Sequence, residues 1–273
     1  MNAVNKDQLN IVVCVKAVPS TTEVKMDPKT NTIVRDGRQA VVNPFDASAF
    51  EVALRIKDER AAAGDKTHVT CVSMGIPATE RLLRDCVARG ADAGLLLSDR
   101  AFAGADTLAT AYALTCGIKS LPAGADLIVC GKMAVDGDTA QIGPELAGAF
   151  GVPCVAGVSE VVGLCGRSLT LRRDSDEGSE LVLVELPCVI TVSKDAAALR
   201  MPTILGVRAG EAATIDVLTA DGVGADPARC GLTGSPTQVV RSFVPERSHD
   251  GVRIEGTPAD QAAAFAELLE GME

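Results

Sequence analysis

The segment from residue 131 to residue 144, GKMAVDGDTAQIGP, has residue types and spacing that suit ligand chemistry. It begins where an apolar stretch at 125–130 ends and stops where a helical pattern begins. Ligands of open parallel sheets bind beyond the carboxyl ends of the strands. Glycines let backbone N–H groups approach a phosphate, and a helix N-terminus adds partial positive charge. The segment therefore indicates a nucleotide site, with an ordinary polar loop as the alternative.

The polar side chains of this loop suit the sugar and base of a nucleotide better than its phosphates. The two aspartates would repel a phosphate, so we expect them to face ribose, backbone or water. Hydroxyl and amide groups can bind the polar atoms of ribose or base. The side chains concerned are Asp136, Asp138, Thr139 and Gln141.

A second passage from extended to helical sequence carries the motif NPFD at residues 43–46. Asn43 and Asp46 are candidates for ligand binding. The alternative is that one of them caps the helix that follows. In that helix, Ser48 and Glu51 have the spacing of a capping box.

A third passage opens a helix at residues 104–110. Thr107 and Thr110 are three residues apart, which places both hydroxyls on one face of the helix near its start. The alternative is that Asp106 caps the helix while the threonines bond locally. If the three passages come from one edge of a sheet, they form a single crevice, and this convergence favours a binding site.

Several classes of function are excluded by composition. The formal charge of −10 argues against binding to nucleic acid or to anionic membranes. The two histidines lie in polar segments and do not suggest a nucleophile–base pair, so we expect no catalytic residues. The nine cysteines show no CxxC motif, so we expect reduced thiols and no metal ligands. The motifs GxGxxG and GxxxxGK[ST] are absent.

Apolar stretches alternate with helical patterns through residues 10–158, which predicts an α/β fold with a doubly wound parallel sheet. A further excursion at 31–42 contains a turn at Asp36-Gly37. Residues 159–194 read as an added antiparallel segment with a hairpin turn at 174–179. The predicted strands are 11–15, 67–74, 93–97, 125–130, 152–158, 168–172, 180–186 and 189–193.

The final quarter of the chain is rich in glycine, proline and alanine and shows no sheet pattern before a helix at 258–269. We therefore divide the chain into a binding domain at 1–200 and an extended C-terminal arm at 201–273, which packs on another subunit. No apolar run reaches the roughly 20 residues of a membrane span, and the N-terminus lacks a secretory pattern. A cytoplasmic location is expected.

Over residues 10–270 the sequence resembles the β subunit of electron transfer flavoprotein. The segments that carry the resemblance are VCVK at 13–16, NPFD at 43–46, the loop at 131–144 and GLTGSPT at 231–237. The resemblance implies a Rossmann-like adenine-nucleotide-binding domain whose C-terminal arm embraces an α subunit. In ordinary members the β subunit holds a structural AMP, whereas in flavin-bifurcating members it holds a second FAD that NADH reduces.

The loop, the threonine pair and the GLTGSPT segment are more similar to the bifurcating, NADH-linked members. The resemblance then implies that Thr107 and Thr110 flank the isoalloxazine ring, and Asp106 is predicted to belong to the cofactor site with them. The residues implied to line the adenosine-diphosphate part are Cys14, Asn43, Asp46, Met74, Ala134, Asp136, Gly137, Thr139 and Gln141. Gly131 and Asp138 are further predicted residues of the cofactor site. The cofactor would supply the chemistry, so independent catalysis by this chain is not expected.

The implied partners are the α subunit, an acyl-CoA dehydrogenase or reductase, and ferredoxin or flavodoxin as a second acceptor. The family's docking loop usually carries Asn-Glu-Pro-Arg and a lysine-rich tail, whereas this chain keeps only Arg200 there. Two alternatives stay open: a conventional β subunit in which AMP has no redox role, and a free-standing nucleotide-binding regulator.

Overall fold

The computed structural model describes residues 8–20, 40–240 and 251–271. The chain divides into two compact units, residues 1–238 and 239–273. The excursion expected at 31–42 lies mostly outside the described residues, including its turn at Asp36-Gly37. The strands are β1 (Gln8–Cys14), β2 (Ala17–Pro19), β3 (Ala40–Val42), β4 (Lys66–Met74), β5 (Ala93–Leu97), β6 (Leu127–Gly131), β7 (Cys154–Cys165), β8 (Ser168–Ser175), β9 (Gly178–Glu185), β10 (Cys188–Val192) and β11 (Asp216–Leu218). The helices are α1 (Pro44–Ala62), α2 (Glu80–Arg89), α3 (Thr107–Ser120), α4 (Ile142–Phe150), α5 (Ile204–Ala212) and α6 (Pro258–Glu270).

Nine of the described strands form one sheet in the order β11-β5-β4-β1-β6-β10-β7-β8-β9. The strands from β11 to β7 pair in parallel. After β1 the chain first builds the sheet toward β4 and β5, and then crosses to the other side of β1 with β6. The strand order therefore reverses between β1 and β6, which is where open α/β sheets place their ligands.

The helices cover both faces of the sheet, as the doubly wound prediction requires. One apolar cluster joins α1 and α2 to the sheet through residues such as Phe50 and Leu83, and a second joins α3 and α4 through Ile118 and Leu146. Because both faces are covered, the central strands are mostly buried: six of the seven residues of β1 and four of the five residues of β6 are buried. All five residues of β10 are buried.

The added antiparallel segment is confirmed. β7, β8 and β9 form consecutive antiparallel pairs beyond β10, and Ser175 pairs with Gly178 at the hairpin end. A separate two-stranded antiparallel sheet joins β2 and β3 at the end of β1.

Residues 204–218 contribute to the first unit, although the sequence showed no strand there. β11 pairs in parallel with β5, and α5 packs on α2. Gly206 and Gly210 allow this helix contact, since an added Cβ on Gly210 would lie 2.5 Å from the Arg84 carbonyl oxygen. The division at residue 200 and the packing of an arm on an α subunit stay predictions.

The second unit contains α6, which confirms the helix expected at 258–269. Thr257 and Asp260 form a capping box at its start, and Pro258 occupies its first turn.

The capping box expected at Ser48 and Glu51 is wrong. Both residues lie inside α1 and are buried, and each binds the segment after β10. Ser48 Oγ accepts a hydrogen bond from Ala197 N at 2.9 Å, and Glu51 pairs with Arg200. These partners are 149 residues away in sequence, so tertiary contacts outweigh the local pattern.

Among the described residues, no helix combines the length and the apolar composition that a membrane crossing requires. All nine cysteines lie in the described ranges as free thiols.

Candidate functional site

The site lies at the carboxyl ends of β1 and β6, where the strand order reverses. Asp46, in the first turn of α1, bridges the two strands: one carboxylate oxygen accepts from Lys16 N at 2.8 Å and the other from Gly131 N at 3.1 Å. Burial raises the pKa of Asp46 to about 7, against the lowering effect of these N–H donors, of Asn43 and of the Lys16 charge. The carboxyl group thus positions the backbone on both sides of the crevice.

Asn43 holds the loop that follows β6. Its Nδ2 donates to the Met133 carbonyl at 2.8 Å, and its Oδ1 accepts from Val135 N at 3.2 Å. The residue is fully buried and occupies the N-cap position of α1 without a side-chain capping bond. The capping alternative for NPFD is therefore wrong, because the described bonds of Asn43 and Asp46 hold neighbouring segments.

Lys16 and Asp136 join the rim of the crevice. The Lys16 Nζ atom lies 2.6 Å from Asp136 Oδ1, and the Asp136 side chain is 13% exposed. The expectation that both loop aspartates face ribose, backbone or water thus misses the lysine that Asp136 contacts. Asp138 is exposed.

The loop after Asp136 has an unusual backbone. Asp138 has φ of 48° and Ala140 has φ of 54°, and neither is a glycine. Left-handed conformations of this kind cost non-glycine residues roughly 1–2 kcal/mol each. Gln141 returns to a right-handed conformation and is the N-cap residue of α4. A left-handed residue followed by a right-handed one turns successive N–H groups toward one point, an arrangement that binds anions.

The start of α3 completes the crevice on the other face of the sheet. Asp106 caps the helix by accepting from Ala109 N at 3.1 Å, so the capping alternative is confirmed for this residue. Thr107 does not bond locally: its Oγ1 lies 3.2 Å from Gln141 Oε1 and 3.0 Å from Glu145 Oε1. The three passages thus meet at one edge, as expected.

The GLTGSPT segment lies against the start of α3. Asp106 N donates to Ser235 Oγ at 2.8 Å, and Asp106 Oδ2 accepts from both the N–H and the hydroxyl of Thr237. Leu232 N donates to the Ala103 carbonyl at 3.0 Å. This segment therefore positions the threonine pair from outside the sheet. The combined carboxylate contacts lower the pKa of Asp106, although burial acts to raise it.

The remaining predicted residues take several positions. Cys14 is buried in the apolar cluster beneath α3 and α4, and Met74 packs at its edge. Ala134 lies in the loop that Asn43 holds, and an added Cβ on Gly137 would meet no atom within 4 Å. Thr139 is exposed, and Thr110 is half-buried one turn after Asp106.

The described side-chain contacts of Arg200 are with α1. Its guanidinium makes a bidentate pair with buried Glu51, with both N–O distances at 2.9 Å, and contacts Asp58 at 2.8 Å. These contacts hold the pKa of Glu51 below its usual range, although burial acts to raise it. The described contacts of the guanidinium thus fasten the segment after β10 to α1.

A family profile described as "electron transfer flavoprotein domain" matches residues 30–221. The chain belongs to this family. Within the family, its similarity is to β subunits: the electron transfer flavoprotein subunit beta of Megasphaera elsdenii is 39% identical over 267 residues, which cover 96% of this chain and 97% of that protein.

Other relatives in the family carry different names. The caffeyl-CoA reductase-Etf complex subunit CarD of Acetobacterium woodii is 41% identical over 255 residues, covering 93% of this chain and 95% of its own length. Protein FixA of Azorhizobium caulinodans is 36% identical over 272 residues, which cover 96% of this chain and 94% of that protein. The resemblance found in the sequence motifs is therefore confirmed at the level of the family.

Two residues of the site escaped the sequence analysis. Lys16 was part of a quoted motif but was given no role, and Glu145 was not singled out. A signal for Glu145 was present, because an acidic residue directly after Pro144 fits the first turn of a helix. The pairing of Lys16 with Asp136 had no local signal, since 120 residues separate them.

Proposed function

We propose that this chain is the β subunit of a heterodimeric electron transfer flavoprotein and that it binds FAD in the crevice between β1 and β6. The observation that carries the proposal is the loop after β6, which Asn43, Asp46 and Lys16 hold against the ends of β1 and α1. Its left-handed residues Asp138 and Ala140 support a ligand role, because such conformations cluster at binding sites.

The residues present suit an adenosine-diphosphate group. The loop offers open space at Gly137 and leads into the start of α4, where a helix N-terminus favours negative charge. Asn43 and Asp46 would act by positioning this backbone, since their bonds to the loop and to Lys16 are internal. The other residues proposed to line this part are Cys14, Met74, Gly131, Ala134, Asp136, Asp138, Thr139 and Gln141.

The redox end of the cofactor would lie beside the start of α3. Thr107 and Thr110 would flank the isoalloxazine ring, and Asp106 would hold them through the helix cap and Thr237. When bound, FAD supplies the chemistry by accepting a hydride from NADH and releasing electrons singly. This chain would orient the ring and set its surroundings without a catalytic residue of its own.

The proposed partners are an α subunit with a second FAD, an acyl-CoA dehydrogenase or reductase, and ferredoxin or flavodoxin as a low-potential acceptor. The name of the CarD relative, which places it in a caffeyl-CoA reductase-Etf complex, supports an acyl-CoA partner. A docking surface for that partner is supported beside Arg200, where Met201, Ile204 and Leu205 are 81%, 79% and 75% exposed.

The test is the nucleotide content of the complex. We would co-express the chain with its α partner, denature the purified heterodimer and quantify FAD and AMP by chromatography. Two FAD and no AMP per heterodimer would support the proposal, and ferredoxin reduction with NADH would be assayed next. One FAD with one AMP would make the chain a non-redox scaffold. A chain that purifies alone with a nucleotide would instead support a free-standing regulator.

A further inference from the structure

Glu145 lies in the first turn of α4, directly behind Thr107. Its Oε1 atom is 3.0 Å from Thr107 Oγ1, whereas its Oε2 atom is buried and has no hydrogen-bond partner among the described residues. A buried carboxylate oxygen without a partner is costly, so such a group in a folded protein calls for an explanation.

The number of hydrogen atoms limits which hydrogen bonds Thr107, Gln141 and Glu145 can form with one another. The Thr107 hydroxyl carries one hydrogen, but two oxygens lie within reach, Glu145 Oε1 and Gln141 Oε1. If Glu145 is protonated, it donates to Thr107 and Thr107 donates to Gln141. If Glu145 is ionised, Thr107 donates to it, and the Gln141 amide must turn so that its NH₂ group faces Thr107. The carboxyl group therefore decides the direction of the whole chain of bonds.

The geometry favours the protonated arrangement, because the oxygen of the Gln141 amide faces Thr107 Oγ1 at 3.2 Å and accepts its single hydrogen. Burial raises the pKa of Glu145, and the negative charge of Asp106 on α3 acts in the same direction, while the bond from Thr107 opposes them. In this arrangement the Gln141 oxygen is turned to Thr107, and its NH₂ group remains to donate elsewhere. A donor there suits the phosphate or carbonyl oxygens of a nucleotide.

We propose that Glu145 is a positioning residue that acts through Thr107 and fixes which polar groups of Thr107 and Gln141 face the bound nucleotide. This inference rests on the function proposed above, in which both of those residues line the cofactor. It assigns to α4 a side-chain role in the site, in addition to the partial charge of its N-terminus.

The experiment uses the heterodimer with Glu145→Leu, Glu145→Gln and Thr107→Val, alone and combined. The leucine variant removes the donor, so we expect nucleotide affinity to fall about two- to twelve-fold, the effect of one neutral hydrogen bond. The glutamine variant keeps a donor for Thr107, and we expect it to restore the affinity and, if flavin is bound, its absorption spectrum. In the Thr107→Val background, the leucine substitution should add no further loss.

Two results would overturn the inference. One is a Glu145→Leu variant with unchanged nucleotide affinity and spectrum. The other is a Glu145→Leu substitution that lowers the affinity as much in the Thr107→Val background as in the wild type. If the leucine variant yields no complex, Glu145→Ala, which leaves room for water, is measured by the same criteria. Chromatography of each denatured complex separates this test from that of the proposed function. A site that holds AMP would refute the flavin proposal, and the role of Glu145 would then be judged on AMP affinity by calorimetry.

Discussion

Asp46 Oδ1 accepts a hydrogen bond from Gly131 N at 3.1 Å, and it is one of the atoms that a side chain on Gly131 would overlap. An added Cβ would also lie 2.6 Å from Phe45 Cβ. The close approach of β6 to the start of α1 therefore depends on a glycine at residue 131, and it fixes where the loop of the crevice begins.

Gly131→Ala should separate β6 from α1. Overpacking of this kind costs typically about 1–3 kcal/mol of the free energy of unfolding, and we expect the nucleotide content of the purified heterodimer to fall as well. Chemical denaturation and chromatography of the released nucleotide measure the two effects.

Gly137→Ala, in the same loop, is the matched control because an added Cβ meets no protein atom within 4 Å. Its nucleotide-free stability should match the wild type, while its affinity for nucleotide should fall if the ligand lies against Gly137. Equal destabilisation by both alanines would contradict the contact at Gly131.

The titration of Asp46 should make stability fall as the pH rises. Burial raises the pKa of Asp46 from 3.8 to about 7, so the folded state retains a proton that the unfolded chain releases. From pH 5.5 to 7.5 we expect a loss of about 2 kcal/mol in the free energy of unfolding. The pKa values of Glu51 and Asp106 lie below their usual range, so these two residues change the stability only at pH values lower than 5.5.

Urea denaturation across this pH window measures the effect. Asp46→Asn is the control, because an amide cannot titrate and its slope over the window should be flatter than that of the wild type. Parallel slopes for the two proteins would show that Asp46 is already ionised at pH 5.5.

Removal of Arg200 should leave Glu51 buried without its charge partner. The loss of one partner of a buried pair costs about 3–5 kcal/mol, and because the Arg200 side chain is 32% exposed we expect Arg200→Ala to cost somewhat less. The double variant Glu51→Leu/Arg200→Leu should regain much of the loss, since the charges that lose a partner, Arg55 and Asp58, are exposed to solvent.

Arg55→Ala controls for a general effect of removing a positive charge near Glu51. Arg55 is 55% exposed and 3.5 Å from Glu51 Oε1, and exposed pairs of this kind contribute about 0–1 kcal/mol. If Arg55→Ala and Arg200→Ala destabilise the protein equally, the bidentate geometry of Arg200 has no special role.

The threonine pair should affect the cofactor more than the fold. Replacement of Thr107 and Thr110 by valine should leave the heterodimer folded, while each lost neutral hydrogen bond weakens nucleotide binding by about 0.5–1.5 kcal/mol. Flavin content and reduction by NADH measure the effect. If both are unchanged in the double variant, the assignment of the two threonines to the ring is wrong.

Local sequence patterns predicted most of the first unit. The bounds of β5 at Ala93–Leu97 agree with the prediction, and α2 ends at Gly90, which has a positive φ of 125° at the C-cap. α4 begins at Ile142, two residues before Pro144, because Gln141 already has a helical backbone. The spacing of apolar residues and the positions of glycines are enough to predict such helices and strands, since the residues that determine them are neighbours in sequence.

Contacts between residues far apart in sequence could not be predicted from local patterns. β11 has three residues and exists only because β5 lies beside it, so no alternation could mark it. Ser48 and Glu51 fit a local capping rule but bind residues 197–200 instead. In the site, the meeting of three passages was predictable from strand ends, whereas the pairing of Asn43 with residues 133 and 135 required the fold.

The position of β1 has a consequence for how the protein is made. Its two neighbours in the sheet are β4, which begins at Lys66, and β6, which begins at Leu127. During synthesis, β1 can therefore have a partner on one side long before the other arrives, and the closure of this long loop slows folding. The crevice between β1 and β6 can therefore form only after β6 has been made, while β7 to β11 are still to follow. Cellular nucleotide that binds the crevice at this stage would favour the folded form of the nascent chain by mass action.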